Sequence, residues 1–168
     1  MLTTDDLIAR AEITDVIQLL ARGTDRLDRE LMAGCYHPDG FDDHNSFRGT
    51  GGEFADWVCA VLPHFAATTH FIATPHIELD GDVAKVDTYC VAHHVSRPGD
   101  DGTATDMVMG LRYVDRFERR EGRWRIARRV CAFDWNYTIP FDPAQTFQWE
   151  PDFTVGARDR SDISYTGV

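Results

Sequence analysis

The apolar residues of this chain change their period once, near Phe65, and the new period then persists to Trp135. Before that point they recur at helical spacing: Ile13, Val16, Ile17 and Leu20 mark one stripe, and Phe54, Trp57, Val58, Val61 and Phe65 mark another. After it they alternate. Thr69–Ile72 and His76–Leu79 read as short strands, and Val83–Val95, Asp106–Arg119 and Trp124–Trp135 as long ones. The turn signals Asp80-Gly81-Asp82 and Glu121-Gly122 join neighbouring strands as hairpins, so the second half is an antiparallel meander. Helices followed by a meander predict an α+β domain.

Local signals set the element ends. Thr3 and Thr4 before Asp5 and Asp6 open the first helix, with a hydroxyl for the free amides and carboxylates at the positive end of the dipole. Asp28 caps a short second helix through Leu31, Met32 and Cys35, which His37-Pro38-Asp39-Gly40 stops. The stretch FDDHNSFRGTGG that follows reads as a polar loop, and Asp42, Asp43 and His44 form its densest group of ligand-type side chains. Adjacent acids with one histidine do not make a metal site, which needs three or four converging ligands, so this group is expected at a loop or pocket rim and no metal is expected. Glu53 opens the third helix and Pro63 interrupts it late.

His70 sits between Thr69 and Phe71 in a run of β-branched and aromatic residues, so it projects from a sheet face. A buried imidazole there needs a partner, and Asp25 in the closing turn of helix 1 is the candidate. Helical phase alone does not put Asp25 on the apolar stripe, and a solvated helix-end carboxylate is its plainer reading. On the long strand from Val83, Ala84, Val86, Thr88, Cys90, Ala92 and His94 share one face, and their small size leaves room for a ligand or a helix. Tyr89, Val91 and His93 share the other, which predicts apolar surface for self-association.

The formal charge of −11 disfavours nucleic acid or an anionic membrane as a partner. The arginine-rich run DRFERREGRWRIARR should alternate onto a solvated face beside Asp115, Glu118 and Glu121. The four cysteines form no CxxC pair and the N-terminus has no signal-like core, which fits a reducing cytoplasm. Neither a GxGxxG turn, a phosphate loop nor a GxSxG elbow is present, so no nucleotide cofactor and no serine nucleophile is indicated. Beyond Tyr137 the pattern dissolves into a proline- and aspartate-rich tail whose Phe141, Phe147, Trp149 and Phe153 imply that it docks, on its own domain or across a neighbouring subunit.

An acid on helix 1 and a histidine on the first strand after helix 3, with TDRLDRELMAGCYHPDGFDDH, TTHFIA, ELDGDVAKVDTY and RYVDRFERREGRWRIARR followed by DW, resemble the SnoaL-like branch of the nuclear transport factor two superfamily. The resemblance implies a cone-shaped α+β barrel over residues 1–138, with N-terminal helices packed in a strongly curved, mostly antiparallel sheet, and a C-terminal extension over 139–168. It includes scytalone dehydratase, dehydrochlorinase and bile-acid dehydratase members in which an aspartate and a histidine work as a pair, and it puts Asp25 and His70 in those positions. It likewise assigns Tyr36, His94, Arg129 and Trp135 to substrate binding or charge stabilisation. A cofactor-independent lyase acting on a small apolar cyclic or aromatic molecule, as a homodimer or homotrimer, is the implied function. Isomerisation and carbon–carbon cleavage share its opening proton transfer. A non-catalytic subunit of a ring-hydroxylating dioxygenase and a simple ligand-binding module are the rivals.

Overall fold

A computed structural model describes residues 1–145 and 149–167. Helix α1 spans Thr4–Arg26, opened by a reciprocal cap between Thr3 and Asp6 and closed where Leu27 turns left-handed at φ 54°. Asp28 then caps α2, Arg29–Gly34, through the Leu31 amide. Strands β1, Tyr36–Asp43, and β2, Arg48–Thr50, precede α3, Gly51–Val61, whose cap pairs Thr50 with Glu53. Pro63 turns the end of α3 into one tight turn, and the chain enters β3, Phe65–Ile72. The meander follows as β4, His76–Asp80, β5, Val83–Ser96, β6, Ala104–Arg120, and β7, Arg123–Phe141.

The seven strands form one open sheet in the order β2-β1-β7-β6-β5-β3, with β4 also on β5. Among the described residues every pairing is antiparallel except β1 with β7. The sheet wraps the helices. Ile13, Ile17 and Leu20 of α1 and Phe54 and Val58 of α3 pack into one core with Ala84, Val86, Phe117 and Ile126 from the sheet. At the β6–β7 hairpin Glu121 and Gly122 take φ 53° and 75°, the left-handed pair that a two-residue turn matched to strand twist requires.

Three expectations differ from the structure. The segment from His37 to Asp43 is not a turn and loop: β1 runs through it, with a register irregularity between Tyr36 and Phe41, and the loop is confined to the residues from His44 to Phe47. Pro38 and Gly40 are the bulge rather than a stop, and a Cβ on Gly40 would lie 2.6 Å from the Ile126 carbonyl oxygen of β7. Regular structure also continues past Tyr137, since Ile139, Pro140 and Phe141 pair with Asp106, Thr105 and Ala104. Pro140 is tolerated there because β1 accompanies β7 no further than Val130, so the missing N–H faces a free edge. Finally, Asp115 is buried rather than solvated, 3% exposed in a two-bond pair with Arg129. Three of the other arginines of the hairpin do meet surface acids: Arg116 and Arg120 bind Glu118, and Arg119 binds Asp82.

The end of the tail returns onto α1. Arg22 lies 4.2 Å from the Tyr165 ring centre, Arg26 pairs with Asp162, and Asp162 caps the short α4, Ile163–Thr166. Arg158 donates to the backbone carbonyls of Asp25, Leu62 and Phe65 and to the Thr68 hydroxyl. The expected docking residue Phe147 lies outside the described residues.

Candidate active site

Asp25 stands on the last turn of α1, facing β3 rather than the apolar stripe. Because β3 ends the sheet, one side of its backbone lacks a strand partner, and the His70 N–H there donates to Asp25 Oδ2 at 2.9 Å. Thr68 and His70 share a face of β3, and both side chains reach the other carboxylate oxygen: Thr68 Oγ1 donates at 2.9 Å and His70 Nδ1 lies at 2.8 Å. Burial pushes the Asp25 carboxyl up, but the bonds from His70 and Thr68 outweigh it and hold the group below the usual carboxylate range. A carboxylate at Nδ1 makes that nitrogen the donor, which leaves Nε2 as the lone-pair nitrogen.

His70 borders a cavity of about 380 Å³ between α3 and the sheet, walled by Phe54, Trp57, Val61, Phe65, Met107 and Phe133. His94 borders it too. Its ring stands edge-on to His70 at 5.5 Å and to Phe65 at 5.1 Å. Burial, reinforced by His70, pushes the His94 imidazole down to about 4, so it is neutral near pH 7, and its Nδ1 has no hydrogen-bond partner among the described residues.

Opposite conclusions hold for three other expected site residues. Tyr36 is 2% exposed and does not border the cavity, because its hydroxyl donates to Asp42 Oδ2 at 2.5 Å. Arg129 is spoken for by Asp115, at 2.8 and 2.7 Å, and lies 4.0 Å from the Tyr113 ring centre. It reaches no more than a hole of about 30 Å³ beneath the cavity. Trp135 lies on the outer face: the register shift that pairs Gly110 with Trp135 but Leu111 with Phe133 leaves Asp134 over, which turns Phe133 inward and lays Trp135 across Gly110 outside.

The structure adds a pair that the sequence reading placed on a rim. Asp42 is fully buried on β1, and His44 follows two residues later on the same side, with Nδ1 bonded to Asp42 Oδ1. The His44 ring stacks on Phe54 at 4.5 Å and borders both the cavity and the small hole, as His70 does. Asp-x-His at strand spacing was the available signal, and it is invisible once the segment is read as loop. No three His, Cys, Asp or Glu side chains converge as metal ligands among the described residues. Burial pushes the Cys35 thiol up to about 12 and Cys90 to about 11, so neither is a ready nucleophile.

Residues 5–130 match the SnoaL-like domain family. The chain belongs to that family. Among solved structures it is similar to the type 3 hexachlorocyclohexane dehydrochlorinase from Novosphingobium barchaimii, at TM-score 0.72 and 19% identity over 88% of this chain and 98% of that one. A candidate scytalone dehydratase from Novosphingobium aromaticivorans aligns at TM-score 0.67 and 20% identity, covering 83% and 91%. A candidate aromatic ring hydroxylase from the same organism gives 0.67 and 18%, covering 79% and 94%. At these identities the likeness is one of fold. No curated protein matches the chain in sequence. No helix among the described residues is long and apolar enough to cross a membrane.

Proposed function

We propose that this chain is a cofactor-independent lyase that removes a carbon-bound proton from a small apolar cyclic molecule and expels a leaving group, with His70 as the base. The observation that carries the reading is the His70 imidazole, held at Nδ1 by Asp25 on the wall of an apolar cavity. Nε2 takes the proton, and Asp25 keeps the ring in one tautomer and supports the imidazolium without being protonated itself. His94, buried and neutral, is suited to donate a hydrogen bond to the oxygen on which charge develops. A cavity of about 380 Å³ is at the small end for ligand sites and suits one or two rings. The reading extends to self-association into a homodimer or homotrimer through the outer sheet face.

Deuterium exchange tests the opening step whatever follows it. Cyclohexanone, decalone and indanone are incubated with the protein in heavy water, and deuterium entering the carbon next to the carbonyl is read by mass spectrometry. Exchange well above the buffer rate is expected for at least one ketone and is expected to vanish in His70→Ala. Buffer-rate exchange throughout, or undiminished exchange in His70→Ala, removes the base.

A further inference from the structure

We propose that Asp42 and His44 form a second proton-transfer pair in the same cavity, with His44 Nε2 protonating the leaving group while His70 takes the carbon proton; this rests on the reading of His70 as the base. Three observations carry it. Asp42 has no exposed surface, and its two oxygens are bonded to the Tyr36 hydroxyl and to His44 Nδ1. Burying a carboxylate is costly unless it is fully bonded, and this one accepts from Nδ1–H of His44 and supports its imidazolium form, which carries the second proton on Nε2. The neighbouring guanidinium of Arg129, paired with Asp42 in strand register, turns its Nε and Nη2 donors to Asp115 instead.

Second, the His44 and His70 rings come from different elements yet border the same cavity and the same hole of about 30 Å³. A hole that size accommodates one water molecule, which can return a proton from His70 to His44 after each turnover. Third, the chain supplies its own contrast. His93 bonds Asp106 at 2.7 Å in a third pair of the same type, but it sits on the outer face and borders neither the cavity nor the hole. Pairing alone is therefore a cross-strand contact; pairing on the cavity wall is an arrangement for chemistry.

The step balances for a β-hydroxy ketone. The C–H bond breaks, its proton going to His70 Nε2 and its electron pair into the new C=C bond. The C–O bond breaks with its pair on oxygen, which takes the Nε2 proton of the His44 imidazolium, leaving that ring neutral, and departs as water. One proton has passed from His44 to His70, and the substrate has lost water.

The test uses the β-hydroxy and β-chloro derivatives of whichever ketone the wild type exchanges. Chloride leaves without a proton, so the two probes separate an acid from a binding or packing role. His44→Gln should keep deuterium exchange within a few-fold of the wild type, which also shows that it is folded. It should lose roughly 10²-fold or more in water elimination and far less in chloride elimination. Asp42→Asn should shift both in the same direction and takes over if His44→Gln does not fold. His93→Gln should change neither. Unchanged water elimination in His44→Gln, or equal losses with both leaving groups, overturns the proposal while leaving the base intact. A wild type that exchanges no ketone, or a His70→Ala protein that still does, overturns the base itself and the proposal with it.

Discussion

His70 gives Asp25 two hydrogen bonds at once, from its backbone N–H at 2.9 Å and from its ring Nδ1 at 2.8 Å. The ring is thereby tied to the carboxylate at both ends of its own residue. Asp25→Asn leaves the shape but puts an amide donor where one of three donors now lands, so one contact must be lost or the ring must change tautomer. Turnover should fall by roughly 10²–10⁴-fold, with KM much less affected. Steady-state kinetics on a folded variant decide it: retention within about threefold, far inside that general-base scale, returns Asp25 to a structural role.

Acid should weaken the fold in two stages. In the unfolded chain His94 takes a proton as pH falls through about 6.5, whereas in the folded protein it does so near 4. The unfolded state binds more protons inside that window, so stability declines as pH drops across it, by roughly 3 kcal/mol at most. Asp25 acts lower: its folded value lies below 3.8, so the stability it contributes is lost as pH falls beneath that value. Urea unfolding at pH 7 and pH 4.5 should show the first decline in the wild type and a much smaller one in His94→Leu. Identical declines in the two proteins would remove His94 as the cause.

Arg158 links the tail to α1 and β3 through four acceptors. Replacing it by alanine leaves the carbonyls of Leu62 and Phe65 without that donor, a loss of roughly 1–3 kcal/mol that urea unfolding would register. An unchanged midpoint and slope would mean that the tail does not hold this position in solution.

The outer sheet face exposes Phe71, Tyr89, Trp135, Tyr137 and Ile139 together, with Trp135 and Tyr137 stacked at 5.6 Å. A patch of this kind is expected to be covered by a second copy. Light scattering should give a multiple of the 19.0 kDa chain mass, and Trp135→Arg should shift it toward one chain. A wild-type monomer at micromolar concentration contradicts the expectation.

Periodicity revealed most of the fold because burial enforces it. The alternation from Val83 to Val95 matches the buried face of β5 residue by residue, and the capping residues Thr3 and Asp28 act where polar side chains must satisfy free amides. The pairing of Asp25 with His70 could not come from helical phase, since Asp25 points at the edge of β3 and not at the core; the family resemblance supplied it. Trp135 was misplaced because one unpaired residue, Asp134, reverses the inside and outside of a strand without altering composition. His44 was missed for a related reason: Pro38 and Gly40 look like a stop, and they are tolerated because the irregularity in β1 absorbs them.

The position of β3 at the end of the sheet has a consequence for the life of the protein before it meets any ligand. An unpaired strand edge is a template on which a second chain can add itself, and proteins commonly blunt such edges with charge. Here the blunting groups are Asp25, which occupies the His70 N–H, and Arg158, which occupies the Phe65 carbonyl. Asp25→Asn combined with Arg158→Ala should therefore raise thioflavin-positive aggregation above that of either single variant. The same carboxylate that orients the imidazole then also guards the sheet against its own copies.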